Sequence, residues 1–248
     1  MWIVTQDGLN RYDGYGFAVY RHDPDDPYSL RDDFIESISE DRSGDLWIGT
    51  QDGWLERYDR ENDGFTHYQI SSHVYAIHED RAGMFWVGTK DPGLLRFDRD
   101  SGETEIVWSG LDFTSIIEDQ AGGLWVASPE EGVGRYDRPN DRFTVFEPEY
   151  PAHAILEDRA GALWLATWGG GLGRFDRETE QFSYLLHDPN DRNSINNDYV
   201  SSIYEGVAGV LWLGFNGSGL DRFDREIVSG GRRFAHYQHD PSDPHSLS

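Results

Sequence analysis

The chain of 248 residues contains no cysteine and a single lysine, Lys90. Without cysteine the chain has no disulfide framework and no thiolate metal site. The cellular compartment therefore cannot be inferred from cysteine content. The sequence has no run of 18 consecutive apolar residues, which excludes an apolar membrane-spanning helix. Residues Met1 to Thr5 have strand composition and lack the basic and apolar regions of a secretion signal. We therefore expect no signal peptide in this chain.

Positive charge is also scarce. The chain has 21 Lys and Arg residues against 46 Asp and Glu residues, a formal net charge of −25. Such a charge repels polyphosphates and anionic lipid surfaces. We expect no nucleic-acid partner and no direct membrane insertion.

A repeat organises what is present. A tryptophan followed by apolar and small residues recurs every 39 to 48 residues. Each interval holds four short aromatic and β-branched segments bounded by Gly, Asp, Asn or Pro, which is typical of strands and turns. The sequence predicts an all-β fold, a β-propeller of about six four-stranded blades in one domain, 1–248. The blade tryptophans are Trp2, Trp47, Trp86, Trp125, Trp164 and Trp212.

The repeat has more tryptophan strands than inner strands. Six tryptophan strands are matched by only five segments of the kind that would form the inner strand of a blade. We expect the first blade to lack its inner strand and the chain to be a segment of a longer array. If so, adding about 12 residues of the continuing repeat should raise thermal stability, because it would cover an open sheet edge.

Two charged positions recur with the repeat. An aspartate such as Asp41 stands six residues before the tryptophan and can accept backbone N–H groups across a tight turn; the fifth copy has Gly206 instead. An arginine opens an Arg-aromatic-Asp unit in every blade, as at Arg57. Because it recurs everywhere, structural pairing with acidic neighbours explains this arginine better than ligand binding does.

The repeat resembles the two-component regulator propeller family. The similarity lies in the unit Glu-Asp-x-x-Gly-x-Leu-Trp, seen from Glu40 to Thr50 and from Glu157 to Thr167, followed by Gly-Leu-x-Arg-aromatic-Asp. A connector His-Asp-Pro-x-Asp-x-x-Ser, found from His22 to Leu30, from His187 to Ile195 and from His239 to Leu247, is similar to that family as well.

This resemblance implies a periplasmic or extracellular sensory propeller of a signal-transduction receptor with a histidine kinase or diguanylate cyclase output. The function expected from it is non-catalytic: sensing of a small-molecule ligand, such as an oligosaccharide, or interaction with a partner protein. Two alternatives stay open. One is a propeller-fold enzyme such as a streptogramin-type lyase or a glycan-active enzyme, and the other is a structural dimerisation scaffold that forms a homodimer within the receptor.

Candidate ligand-binding residues are those that break the repeat on the face where inner strands begin, since repeat proteins vary on their binding face. Aromatic side chains with one polar edge suit stacking on sugar rings, which favours the two tryptophans among them. The predicted ligand-binding residues are Trp54, Trp168, Tyr75, His153, Lys90 and Tyr199.

No catalytic residue, metal site or cofactor is predicted. The histidines show no paired spacing with a carboxylate on one strand face, as a metal site would need. The run Gly169-Gly170-Gly171 lacks a following lysine or helix, so it predicts a turn and not a phosphate loop.

Overall fold

The computed structural model describes residues 1–5, 7–70, 72–225, 233–243 and 246–247. The chain divides into two compact units, Met1–Glu118 and Asp119–Ser248. The expectation of one domain spanning 1–248 stays a prediction. The third connector, His239 to Leu247, contains positions 244 and 245, which lie outside the described residues.

The described part of the chain folds almost entirely into antiparallel strands. The first unit contains β1 (Trp2–Thr5), β2 (Gly8–Tyr12), β3 (Phe17–Tyr20), β4 (Ile35–Glu40), β5 (Leu46–Thr50), β6 (Trp54–Asp59), β7 (Gly64–Gln69), β8 (Val74–Glu79), β9 (Phe85–Thr89), β10 (Gly93–Phe97), β11 (Thr104–Ser109) and β12 (Ser115–Glu118). The second unit contains β13 (Leu124–Ser128), β14 (Gly132–Asp137), β15 (Arg142–Phe146), β16 (Ala152–Glu157), β17 (Leu163–Thr167), β18 (Leu172–Asp176), β19 (Gln181–Leu185), β20 (Val200–Glu205), β21 (Leu211–Phe215), β22 (Gly219–Phe223) and β23 (Phe234–Tyr237). Two single-turn 3-10 helices, Arg138–Asn140 and Val207–Gly209, complete it.

These strands form six small sheets in chain order. The sheets are β1 to β3, β4 to β7, β8 to β11, β12 to β15, β16 to β19 and β20 to β23, with sequence neighbours paired throughout. The prediction of an all-β propeller with about six four-stranded blades is confirmed. The first sheet has three strands and lacks the inner one, as its sequence predicts.

In four of the sheets the second strand is completely buried. All five residues of β5 and all five of β17 are buried, which explains their nearly continuous apolar sequences. In the first unit, Leu9 of the first sheet and Ile48 of the second belong to one core cluster. In the second unit, Trp164 packs in the same way with residues of the last sheet.

The recurrent aspartate has two roles, of which the sequence predicts one. Asp41 accepts the backbone N–H groups of Ser43 and Asp45 through Oδ1, both at 2.9 Å, as expected for the turn. Its Oδ2 accepts the indole N–H of Trp47 at 2.9 Å. The same indole-to-carboxylate bond joins Trp86 to Asp80, Trp125 to Asp119 and Trp164 to Asp158.

The recurrent arginine lies over the tryptophan of its own blade. In the third sheet the guanidinium carbon of Arg96 is 5.1 Å from the ring centre of Trp86. The same pair recurs in Arg11 with Trp2, Arg57 with Trp47, Arg135 with Trp125 and Arg174 with Trp164. Acidic neighbours also pair with it, as Glu105 does with Arg96 at 3.3 Å. The arginine is structural, and its main partner is an aromatic ring.

Candidate functional site

The first strand of a blade carries a β-bulge near its start. In four of the sheets, one residue of that strand falls out of register with the second strand. A bulge re-aims a side chain, and such bulges concentrate at rims and binding sites. The bulged positions are Glu36, Tyr75, His153 and Ser201. The backbone of the repeat therefore presents these positions, while the sequence varies the chemistry at each.

In the second unit, two of the predicted residues meet through the backbone. Trp168 directly follows β17, and Tyr199 directly precedes β20. They form an isolated antiparallel bridge with each other. Both side chains face solvent, with 49% of Trp168 and 60% of Tyr199 exposed.

A third predicted residue joins them through its ring. The imidazole of His153 stacks on the indole of Trp168, with ring centres 4.8 Å apart and an interplanar angle of 24°. The backbone N–H of Trp168 donates to the carbonyl of Pro151 at 3.0 Å, which ties the tryptophan to the start of the strand that carries His153. We call His153, Trp168 and Tyr199 the aromatic patch.

A glycine turn sets the position of the patch. The carbonyl of Asp198 accepts the N–H groups of Gly169 at 3.0 Å and Gly171 at 2.8 Å. Both glycines have positive φ, 93° and 62°, and a Cβ added to Gly170 would lie 2.4 Å from the ring of Tyr150. The predicted turn is observed: Gly169 and Gly171 supply its positive φ angles, and Gly170 leaves room for the ring of Tyr150.

In the first unit, Tyr75 and Lys90 lie near each other around His73. The Lys90 N–H donates to the His73 carbonyl at 3.0 Å, and the rings of His73 and Tyr75 are 5.5 Å apart. The Lys90 side chain is exposed. The Lys90 carbonyl accepts the N–H of Asp112 at 3.1 Å, which brings an acidic residue beside the lysine.

These residues of the first unit form a polar group and not an aromatic surface. Nδ1 of His73 is buried and lies 3.7 Å from a carboxylate oxygen of Glu36, too far for a hydrogen bond. Oδ1 of Asp112 is also buried without a hydrogen-bond partner in the described part of the chain.

Trp54 packs against other side chains instead. The guanidinium carbon of Arg31 is 5.9 Å from its ring centre, and His67 meets the ring edge-on at 6.4 Å. The indole is half-buried at the start of β6.

Two buried acid–histidine pairs lie outside the set of residues predicted from the sequence. Glu56 binds His67 Nδ1 at 2.9 Å, and Asp221 binds His236 Nδ1 at 2.6 Å; both acids are fully buried. Burial raises the pKa of Asp221 even though His236 and a backbone N–H bond to its carboxylate. The signal was present in the sequence, because three other blades carry an apolar residue or glycine at this position: Leu95, Gly134 and Gly173.

Each of these buried acids holds the connector that precedes its blade. Glu56 accepts the Arg31 N–H at 2.9 Å, directly after the first connector. Asp221 accepts the Asn196 N–H at 2.8 Å, directly after the second. The pairs therefore clamp connectors to sheets and do not form part of the aromatic patch.

Two properties of the described residues limit the kind of site. No three or more His, Asp or Glu side chains among them come together in an arrangement that could hold a metal ion. Within the same described ranges, no helix has the length and apolar character needed to cross a bilayer.

A known family model matches two copies of the repeat. The family model described as "Two component regulator propeller" matches residues 29–52 and 68–91. Both segments run from the approach to a first strand through the second strand and into the next turn. No curated protein shows significant sequence similarity to the chain.

Solved structures share the fold. An extracellular domain of a hybrid two-component system from B. thetaiotaomicron superposes with a TM-score of 0.81 at 22% identity, over 100% of this chain and 34% of that chain. A second such domain from the same organism gives a TM-score of 0.74 at 25% identity, over 95% and 34%. Virginiamycin B lyase from Staphylococcus aureus gives 0.72 at 18% identity, over 96% and 80%.

The chain spans about one third of the length of the two-component domains that it matches. At these identities the structural likeness establishes the fold, and the family model matches two segments of the chain. Two segments of the chain match the two-component regulator propeller model, and the fold of the chain is similar to that of extracellular domains of hybrid two-component systems.

Proposed function

We propose that this chain is a non-catalytic, ligand-sensing propeller of a signal-transduction receptor and that it works outside the cytoplasm. The family match and the likeness to extracellular two-component domains support the receptor context and the location. The aromatic patch supports ligand binding, and it is the observation on which the proposal rests. A purely structural role would not require two large aromatic side chains to face solvent side by side.

The chemistry of the patch favours a ligand with flat apolar faces and polar edges, such as an oligosaccharide. Trp168 offers an indole face, backed on its other side by the stacked imidazole of His153. Tyr199 adds a phenol that can donate or accept a hydrogen bond. The backbone bridge and the glycine turn hold the patch rigid, so little conformational entropy is lost on binding.

Ligand binding is tested by thermal shift with a library of oligosaccharides and small metabolites. We expect a ligand that raises the melting temperature of the wild type but not of Trp168→Ala or Tyr199→Ala. Tyr204→Ala is the matched control, because Tyr204 is a 68% exposed tyrosine of β20 outside the patch. Stabilisation that survives both patch substitutions, or that is lost in the control, would contradict the assignment.

A second candidate function is a lyase, which the fold likeness to virginiamycin B lyase favours. His153 is the residue of the patch that could act as a general base. Any ligand found by thermal shift should be incubated with the protein and followed by mass spectrometry. Turnover that His153→Ala abolishes would support the lyase and contradict the non-catalytic proposal.

A partner protein, including a second copy of the chain, is the remaining alternative. Light scattering coupled to size-exclusion chromatography distinguishes it from ligand sensing. A dimer that Trp168→Ala dissociates would reassign the aromatic patch to a protein interface.

A further inference from the structure

The third sheet departs from the repeat at its outer strand, β11. In each of the other five sheets, the aromatic residue of the Arg-aromatic-Asp unit pairs with a phenylalanine of the outer strand. These phenylalanines are Phe17, Phe65, Phe143, Phe182 and Phe234. In the third sheet, Phe97 pairs with Thr104 instead. One large ring of the repeat is therefore missing from this sheet.

The missing ring belongs at the boundary between the third sheet and the second. At the corresponding boundary one sheet earlier, Phe65 is buried and packs on Tyr20 of the first sheet, with ring centres 5.7 Å apart. Thr104, at the same position of the third sheet, is exposed. A cavity of about 680 Å³ lies here, and its lining includes Arg57 of the second sheet and Phe85, Phe97 and Thr104 of the third. The first unit thus has an open cavity where the repeat elsewhere places a ring.

The same boundary also lacks an acidic residue. Two residues before the phenylalanine of the outer strand, three sheets carry an acid with positive φ: Asp63, Asp141 and Glu180, at 53°, 50° and 56°. Asp63 pairs with Arg11 of the preceding sheet at 3.3 Å, and Glu180 lies 3.8 Å from Arg135 of its preceding sheet. The third sheet has Gly102, with φ 75°, at this position. This position therefore supplies no carboxylate to the arginine of the second sheet.

That arginine, Arg57, has only weak partners. Its guanidinium carbon is 5.9 Å from the ring centre of Trp47, and its Nη1 is 3.8 Å from a carboxylate oxygen of Asp45, beyond hydrogen-bond distance. Nη1 of Arg11, by contrast, donates to the hydroxyl of Tyr58 in the next sheet. The third sheet has a phenylalanine at the Tyr58 position and offers no such hydroxyl. Within the described residues, the Arg57 side chain makes no hydrogen bond, so its donors are available to a ligand.

Acidic side chains border the cavity near the turn before β11. They are Asp98, Asp100 and Glu103. Oδ1 of Asp98 accepts the backbone N–H groups of Asp100 and Ser101 at 2.9 and 3.0 Å, which fixes this carboxylate in the turn. Among the described residues, none of the three acids takes part in an ion pair. This side of the cavity favours a positively charged group.

The other charged groups of the lining neutralise one another. Arg99 pairs with Asp41 at 3.0 Å, and Arg96 pairs with Glu105 at 3.3 Å. A molecule in the cavity therefore meets three features: the apolar rings of the third sheet, the available donors of Arg57, and the acidic border.

We propose that this cavity binds a free aromatic amino acid, such as phenylalanine or tyrosine. The ligand ring takes the place of the missing phenylalanine beside Phe97. The ligand carboxylate accepts hydrogen bonds from Arg57 in place of the missing acid, and the ligand ammonium group faces Asp98 and Glu103. An aromatic acid without the ammonium group would bring only negative charge to the acidic border, and a neutral sugar would offer Arg57 no charged acceptor.

The probe that tests this proposal is L-phenylalanine. Isothermal titration calorimetry with the full chain should show saturable binding. L-Alanine, which lacks the ring, should bind about tenfold more weakly or less, because the apolar burial of the ring is lost. L-Phenylalaninol lacks the carboxylate and N-acetyl-L-phenylalanine lacks the ammonium group. Each should bind about tenfold more weakly than phenylalanine, because a charged hydrogen-bonding group is lost.

Two variants locate the site. Thr104→Phe restores the ring of the repeat and should abolish phenylalanine binding without lowering the melting temperature; Thr144→Phe, at an exposed threonine of the outer strand β15, should leave binding unchanged. Arg57→Gln should weaken phenylalanine binding about tenfold and should change phenylalaninol binding little, because Arg57 acts on the carboxylate. Arg135→Gln is the matched control, since Arg135 lies over the tryptophan of its own sheet in the same way, at 5.7 Å, but in the second unit.

Four results would overturn the proposal: no saturable binding of phenylalanine, equal affinity for phenylalanine and alanine, binding that neither Thr104→Phe nor Arg57→Gln weakens, or equal weakening by Arg57→Gln and Arg135→Gln. The aromatic patch belongs to the second unit, so Trp168→Ala should leave phenylalanine binding unchanged. This proposal and the ligand-sensing proposal can therefore fail independently.

Discussion

The indole Nε1 of Trp47 donates a 2.9 Å hydrogen bond to Oδ2 of Asp41, and both residues are buried. The same carboxylate oxygen accepts Arg99 from the next blade. One aspartate therefore links the turn, the central tryptophan and the neighbouring sheet. This explains why the Asp and Trp positions recur together six residues apart.

Asp41→Ala should destabilise the protein strongly. The substitution removes the acceptor of the Trp47 indole and of Nη1 of Arg99, whose Nη2 still donates to Glu79. We expect a loss of about 2–3 kcal/mol in the free energy of unfolding. Urea denaturation followed by tryptophan fluorescence measures it. Asp45→Ala is the control, because Asp45 is more exposed and makes only a 3.8 Å contact with Arg57; it should cost less than about 1 kcal/mol. Equal losses would show that the indole bond is unimportant.

The folded state should lose stability at acidic pH. Burial opposes ionisation of Asp41 and Asp119, but hydrogen bonds from the indoles and turn N–H groups, together with an arginine, outweigh it and lower the pKa of both carboxyls. A lowered folded-state pKa adds stability that is fully present above the unfolded value of about 3.9 and is lost as pH falls through the folded value.

Urea midpoints measured between pH 7 and pH 3 check this pH dependence. Asp41→Asn should be less stable than wild type at pH 7, and its midpoint should fall less steeply below pH 4. If the urea midpoint of the variant falls with pH as steeply as that of the wild type, a group other than Asp41 is responsible for the loss of stability in acid.

Gly170→Ala should displace the turn that carries the aromatic patch. The new Cβ would meet the ring of Tyr150 at 2.4 Å, a contact that the ring can relieve only by moving. We expect a loss of about 1–3 kcal/mol, as for other overpacked sites, and weaker binding of any ligand that depends on Trp168. The double variant with Tyr150→Ala should recover part of the stability.

Gly16→Ala is the control for this prediction. No atom lies within 4 Å of the Cβ position at Gly16, so the substitution should change stability little. If Gly170→Ala behaves like Gly16→Ala, the packing of Tyr150 does not constrain the turn.

Glu56→Leu should loosen the first connector. The buried carboxylate accepts His67 and the Arg31 N–H, and the substitution leaves both without an acceptor. We expect about 2–3 kcal/mol of destabilisation and faster proteolytic cleavage between positions 22 and 30. Glu61→Leu, an exposed change in the next turn, should leave cleavage unchanged. Faster cleavage in both variants would contradict a specific clamp.

Much of the candidate site was visible in the sequence, because it consists of departures from a repeat. Trp168, His153 and Tyr199 stand out by that criterion, and the structure brings them together. Trp54 meets the same criterion, yet its ring packs on Arg31 and His67. A departure from the repeat marks a position as special but does not distinguish an exposed surface from a new internal contact.

The buried acids show the opposite limit. Glu56 and Asp221 also break the repeat. In a chain with 46 acidic residues, however, an acid in a strand of mixed polarity is expected to face solvent. Their burial depends on the connector that covers them, a contact between segments 25 residues apart. Composition could not single them out.

The strands, the blade repeat and the three-stranded first sheet could be predicted from the sequence, because alternation, turn residues and a recurring tryptophan are local properties of the chain. Which repeat-breaking side chains meet and which acids are buried became clear from the tertiary structure alone. Those outcomes depend on side chains from different blades approaching within a few ångströms, and no local pattern encodes that distance.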